Sequence, residues 1–491
     1  MDVKRLKDDF RAGRIGGEQL IAVIEPLLKR VAELEKRLGV TAGAFRVEQP
    51  FSLRAEEKRQ EARGKFKRPK KRSGRRGRVP TVEKIKLAER TEKCFPAGVA
   101  ETDCWLSHTR VVWRLERGQA VLVAYEIHRA PDGRYGKILG VPDRGEFALE
   151  ILIAISFQVH QVGLSFDKAC QVIGFFTNLS LRKSQVDSLL TRLARHWQGE
   201  FERLCTLLAN SAIVHADETS WSFNSVWALL GENARVLLFD VHKDAATLEK
   251  LLDPATFAGI LASDDAAVYG NFTRAQKCWA HLLRKAIKLT LVAPDNSEYR
   301  RITDLLLEIY REACRIQRDG RLSDAGRAAK VVSLENQIVG LCGPMCRANF
   351  KKLDGPDDDY RLLLTELMKL MLAKELFTFV VAAPITTPLG QVIPVAGTNN
   401  EAERTLRNPA QARVTGRTTK TLAGARRRTV IVSVLESLRC YLPSFTLQSV
   451  IAEVDQWTRT GASCFARMLT KLGLTGSSQS ILDELYAAPS G

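Results

Sequence analysis

Three acids in this 491-residue chain stand where carboxylates can act together. Asp217 and Asp264 each close an apolar, strand-like run, Ala212-Ile-Val-His-Ala-Asp217 and Gly259-Ile-Leu-Ala-Ser-Asp264. Glu403 lies at a helix start, in Thr398-Asn-Asn-Glu-Ala-Glu-Arg-Thr-Leu-Arg407. Acids delivered from two strand ends and one helix are what a nuclease-type site needs to hold a pair of hard divalent cations, which prefer oxygen ligands. Each acid also has a plainer reading. Strand-end carboxylates are frequent as simple caps, and Glu401 and Glu403 in a first helical turn favour the helix dipole. Glu218 and Asp265, adjacent to the two aspartates, compete for the same assignments.

The elements that must position these acids follow from patterning. After the run ending at Asp217, strands are expected at Val226-Trp-Ala-Leu-Leu230 and Arg235-Val-Leu-Leu-Phe-Asp-Val241, then an amphipathic helix from Ala245 to Leu252, then the run ending at Asp264. Three strands, a helix and a fourth strand is the ribonuclease-H-like order, in which acids at the ends of the first and fourth strands lie side by side. Ala275-Gln-Lys-Cys-Trp279 extends this with a fifth strand, and His281-Leu-Leu-Arg-Lys285 opens a helix. From there to about Lys374 the pattern is helical and charged, which reads as an insertion separating Asp264 from Glu403. Thr398-Asn-Asn is suited to cap the helix that carries Glu403.

Upstream, Leu20, Ile24, Leu27, Val31, Leu34 and Leu38 form a coiled-coil-like stripe, interrupted by Pro26, that fits either a dimer seam or a short helix packed on its own chain. Lys58 to Arg78 holds twelve basic residues against one acid, Lys70, Lys71, Arg72, Arg75, Arg76 and Arg78 among them. With almost nothing apolar it reads as a disordered linker, and its charge density suits phosphate contact. Short strands are expected between Glu89 and Val141. Helices follow at Gly145 to Gln158, Ser165 to Ile173 and Ser184 to His196, the last carrying Arg192 and Arg195 as a helix-turn-helix recognition helix would.

The resulting plan is an α/β chain. It comprises an N-terminal helix (1–45), a basic linker (46–88), a small β-rich module (89–141) and a helix-turn-helix-like region (142–207). A ribonuclease-H-like core (208–290 and 395–445) follows, with a helical insertion (291–394) and a C-terminal helical tail (446–491). A formal net charge of +18 fits a polyanionic partner. The longest apolar runs fall short of the roughly 18 residues of a membrane span, and the N-terminus has no signal core, so a cytoplasmic protein is expected. The ten cysteines form no repeating framework and read as ordinary thiols; Cys342-Gly-Pro-Met-Cys346 lacks the second pair a zinc site needs.

His215-Ala-Asp-Glu-Thr, Asp264 with Tyr269, Cys278-Trp-Ala-His-Leu-Leu-Arg-Lys285 and Asn399-Asn-Glu-Ala-Glu-Arg-Thr-Leu-Arg407 resemble, in order, the signature blocks of DDE transposases of the insertion sequence 66 class. The resemblance covers about Ser211 to Leu442 and implies Asp217, Asp264 and Glu403 as the catalytic, metal-binding triad. It marks Tyr269, His281, Arg284, Arg404 and Arg407 as recurring positions and favours Asp264 over Asp265. It further implies two Mg2+ or Mn2+ ions, cutting and joining of DNA at element ends and target, and a dimer or larger assembly on nucleoid DNA, with possible accessory proteins of the same element. Lys285, Arg404 and Arg407 are expected as phosphate clamps. A silent DNA-binding relic and a nuclease without strand transfer are the alternatives. The chain departs from the family pattern at Thr398, where an aspartate is usual, and in the Val-Thr-Gly-Arg-Thr-Thr-Lys that follows Arg413. It also has only Cys94 and Cys104 where relatives carry a cysteine-rich zinc module, so no zinc is expected there.

Overall fold

The structure, a computed structural model, describes residues 79–142, 145–222, 224–346, 354–475 and 480–487. The N-terminal stripe and Lys70, Lys71, Arg72, Arg75, Arg76 and Arg78 lie outside them. The described residues, from Val79 onward, belong to one compact unit.

It begins with α1 (Thr81–Lys86) and a three-stranded sheet of β1 (Arg90–Cys94), β2 (Trp105–Glu116) and β3 (Gln119–Arg129) in the order β1-β3-β2. The β2–β3 hairpin turns through Arg117 and Gly118, both at positive φ (49° and 81°). A two-residue turn needs that geometry to match the strand twist. Three helices follow: α2 (Leu149–Ser156), α3 (Phe166–Thr177) and α4 (Lys183–Ala209). Ser165 caps α3 by accepting from the Lys168 N–H (3.2 Å), and Asn178 ends it in the left-handed region (φ 58°). Helix α4 runs well past His196, because Trp197, Phe201, Leu204 and Leu208 continue its buried stripe through Gly199.

The second sheet contains β4 (Ile213–Ser220), β5 (Ser225–Gly231) and β6 (Arg235–Val241), then, after α5 (Ala245–Glu249), β7 (Ile260–Ser263) and β8 (Ala275–Lys277). Its order is β6-β5-β4-β7-β8; β4, β5 and β6 are antiparallel, whereas β4, β7 and β8 run parallel. Alternate side chains serve two faces. Trp227 and Leu229 join the large core with α4, while Val226 and Ala228 belong to a smaller cluster with Leu406 and Ala412.

Helices α6 (Trp279–Val292), α7 (Ser297–Arg318), α8 (Asp324–Cys346), α9 (Pro356–Leu372) and α10 (Thr378–Val381) build a separate apolar cluster around Trp279, Leu306, Ile338 and Leu367. A small hairpin, β9 (Ile385–Thr386) and β10 (Val392–Ile393), follows this helical stretch. The chain then returns to the sheet with α11 (Asn400–Val414) and α12 (Leu422–Tyr441).

Helix α12 covers the open edge of the sheet. Ser437, Ser433 and Thr429 accept from the backbone N–H groups of Arg235, Leu237 and Phe239 on β6 at 2.9, 2.9 and 3.0 Å. Four helical residues rise about 6 Å and two strand residues about 6.6 Å, so a hydroxyl every fourth position keeps step with every second N–H. Edge donors that would invite pairing with another chain are thereby satisfied internally. The tail forms α13 (Leu447–Thr460), α14 (Cys464–Lys471) and α15 (Ile481–Leu485), and its Trp457, Phe465 and Leu482 enter the same core as α4. The Glu202 carboxylate on α4 caps α15, accepting from Ile481 N (3.0 Å) and Leu482 N (3.2 Å).

Candidate active site

Asp217 and Asp264 meet because β4 and β7 are parallel neighbours. Their last paired residues are His215 and Ala262, and two residues further on each strand the two aspartates fall level. Asp217 Oδ1 accepts from the Glu218 N–H (3.0 Å), and Asp264 Oδ1 accepts from the Ala266 N–H (3.1 Å).

Glu403 arrives on the first turn of α11, whose start is held at three points. Asn399 Nδ2 donates to Ala216 O (2.7 Å), the Asn399 N–H donates to Cys278 Sγ (3.0 Å), and the Trp279 N–H donates to Gly397 O (3.1 Å). The sequence expectation that Asn399 caps the helix is corrected here. It occupies the cap position, but its amide makes no cap hydrogen bond and instead reaches the strand residue before Asp217. Gly397 permits the approach, since a Cβ there would come within 2.9–3.0 Å of the Phe379 ring.

The electrostatics agree with this convergence. Burial, followed by repulsion from Glu218, Asp264 and Glu403, pushes the Asp217 carboxyl up to about 7, against an opposing hydrogen bond from the Glu218 N–H. A carboxylate so placed keeps a proton or takes a cation. Glu218 is differently engaged: its side chain is 3 % exposed, ion-paired to Lys243, and accepts from the Tyr269 hydroxyl. Burial and Glu218 together hold the Tyr269 phenol well above its ordinary range, so it stays a donor. Glu403 pairs with Arg284 and lies 3.6 Å from His281 Nδ1. Burial and Arg284 lower the His281 imidazole, which keeps it neutral.

The competing acids go elsewhere. Asp265 pairs with Lys369 on α9 (3.0 Å), and Glu401 pairs with Arg235 on β6. Asp264 and Glu403 thus lie near enough to Asp217 to act on its charge, and carboxylate oxygens are the ligand type a hard divalent cation prefers. Lys285, expected as a phosphate clamp, is ion-paired with Glu366 on α9. Arg404 and Arg407 are exposed on α11, with Arg407 one turn beyond Glu403. Arg195 is exposed on α4 and Arg192 half-buried, while the opposite side of that helix lies in the main core. Sequence reasoning missed Lys243, and it missed Cys278 as the anchor of Asn399. The alternation of Asp217 and Glu218 along a strand was the one available signal that their side chains point apart.

The fold is mixed α/β, with Asp217 and Asp264 at the ends of adjacent parallel strands. The model of the Transposase IS66 family matches residues 144–351, so this part of the chain is similar to that family. The matched span includes Asp217, Asp264 and the Cys278–Lys285 block and ends before Glu403. No curated protein matches the chain.

Proposed function

We propose that the protein is a DDE-type transposase that cuts the DNA ends of its mobile element and joins them to a target, with Asp217, Asp264 and Glu403 as its catalytic carboxylates. The observation that carries this reading is Asp217, a half-buried acid pushed up to about 7 beside two further acids supplied by separate elements. The strand order β6-β5-β4-β7-β8 supports a ribonuclease-H-like core, since it sets the first and fourth strands side by side.

In this scheme Asp217, Asp264 and Glu403 would hold two Mg2+ or Mn2+ ions through their carboxylate oxygens. Bound there, the cations would activate a water or DNA 3′-hydroxyl for attack and stabilise the departing 3′ oxygen. Glu218, fixed by Lys243 and Tyr269, holds the backbone N–H that orients Asp217. Arg284 neutralises Glu403 beforehand and is free to turn to a phosphate once that charge is shared. Arg404 and Arg407 extend a basic surface from the same helix, and Lys70, Lys71, Arg72, Arg75, Arg76 and Arg78 supply sequence-independent phosphate contacts. Arg192 and Arg195 serve end recognition on α4. Pairing two ends calls for at least two copies on DNA, and the place of action is the nucleoid in the cytoplasm. No helix among the described residues is long and apolar enough to cross a membrane.

Incubation with DNA flanking the chain's own coding sequence, with Mg2+, tests the proposal by end cleavage and strand joining. Both reactions should vanish in Asp217→Asn while DNA binding survives. Cleavage without joining would identify a nuclease, binding without either reaction in the wild type a silent relic, and unchanged activity in the variant would remove the site assignment.

A further inference from the structure

Beside the carboxylate cluster lies a donor set of different chemical character. Cys278 Sγ, a ring nitrogen of His281 and a Glu403 carboxylate oxygen can all lie within 4.8 Å of one another. We infer that Cys278, His281 and Glu403 form a second cation site, selective for a zinc-class ion, that competes with the hard-cation site for Glu403.

The geometry is local and prepared. Cys278 is the N-cap of α6 and His281 stands three residues on, so both project from one helix start. Glu403 comes from the first turn of α11, which the Asn399 N–H to Cys278 Sγ contact fastens to that place. A tetrahedral zinc site has ligand-to-ligand edges of roughly 3.4–3.6 Å, from Zn–N near 2.0–2.1 Å and Zn–S near 2.3 Å. His281 Nδ1 and Glu403 Oε1 are 3.6 Å apart and already span one such edge. Small side-chain rotations close the others.

One group here also lacks a partner: His281 Nδ1 is buried without a hydrogen bond. The Cys278 thiol is 2 % exposed, and its sulfur accepts from the Asn399 N–H at 3.0 Å. A thiolate and an imidazole favour zinc-class ions over magnesium, whereas Asp217 and Asp264 favour the reverse. Cation binding releases the thiol proton to solvent. Arg284, whose side chain is 54 % exposed, can swing away from Glu403 to admit the ion. Three protein ligands leave a fourth position for water.

Binding of the soft ion stands apart from the proposed reaction. Only its inhibitory consequence rests on Glu403 being a catalytic carboxylate. Cobalt(II) serves as the optical probe, titrated into the purified full-length chain. The wild type should develop a thiolate-to-cobalt charge-transfer band that Zn2+ abolishes by displacement and millimolar Mg2+ does not.

Cys278→Ser, which keeps an acceptor for the Asn399 N–H, should lose the band. His281→Ala and Glu403→Gln should each weaken binding at least tenfold, and Asp217→Asn should bind cobalt as the wild type does. Circular dichroism establishes that each variant is folded. Absence of the band in the wild type, or its persistence in folded Cys278→Ser, would overturn the site; were Cys278→Ser unfolded, unchanged affinity in folded His281→Ala would do so. If cobalt binds as described but Asp217→Asn still cleaves DNA, the catalytic reading fails and the soft-cation site stands.

Discussion

Replacing Asp217 by Asn should stabilise the metal-free protein while abolishing its activity. The Asp217 carboxyl is pushed from an ordinary 3.8 up to about 7, by burial first and by the neighbouring acids next. At about 1.36 kcal/mol per pH unit, that difference is worth roughly 4 kcal/mol of destabilisation once the group is ionised. Water reaching the partly exposed carboxylate and local relaxation reduce this, leaving about 2 kcal/mol on a conservative discount.

The sign follows from linkage. Between 3.8 and about 7 the folded protein keeps a proton that the unfolded chain has lost, so the wild type loses stability as pH rises through that window and is level above it. Asn cannot ionise and escapes the loss. Thermal melts in EDTA should place Asp217→Asn a few degrees above the wild type at pH 8, in line with ~2 °C or less per kcal/mol for a unit of this size. The gap should close toward pH 4. Added Mg2+ should raise the wild type by about 2.7 kcal/mol at a hundredfold excess over its Kd and the variant by about 1.4 kcal/mol at most. A variant less stable than the wild type at pH 8, or a gap independent of pH, would refute the reasoning.

Further outcomes follow from other contacts. Ser433→Ala on α12 removes the acceptor for the buried Leu237 N–H and should cost about 1–3 kcal/mol in urea unfolding. Tyr269→Phe strips a donor from the buried Glu218 carboxylate and should cost about 1–3 kcal/mol as well, with a fall in cleavage rate that Tyr269→Trp does not restore. Neutralising Lys70, Lys71, Arg72, Arg75, Arg76 and Arg78 together should flatten the salt dependence of DNA binding by up to ~0.9 per lost phosphate contact in log–log slope, read by anisotropy. An unchanged slope would remove the linker from the DNA interface.

The sheet was readable because its strands are short, apolar and bounded by polar turns. Arg235–Val241 matches its sequence boundaries, and the run ending at Asp264 emerges as β7 with the acid just beyond it. Parallel pairing of β4 and β7 then followed from the element order alone. What the sequence could not supply was decided by distant partners. Asn399 looks like a helix cap locally, yet its Nδ2 donates to a carbonyl on β4 and its Oδ1 accepts no cap hydrogen bond. The sequence pattern predicts a helix ending at His196, but α4 runs on because a continuing apolar stripe against the core outweighs the ~1 kcal/mol helix cost of Gly199. The Thr429, Ser433 and Ser437 spacing carried a message that becomes visible only when β6 lies alongside. Resemblance prefers Asp264 to Asp265, and Asp265 is ion-paired with Lys369.

Mn2+ binding followed by electron paramagnetic resonance tests the three-carboxylate site most directly, because it needs neither the DNA substrate nor turnover. Asp217→Asn, Asp264→Asn and Glu403→Gln should each weaken Mn2+ binding at least tenfold, whereas Asp265→Asn and Glu401→Gln should bind as the wild type does. Wild-type affinity in Asp217→Asn, or a loss confined to Asp265→Asn or Glu401→Gln, would contradict the site.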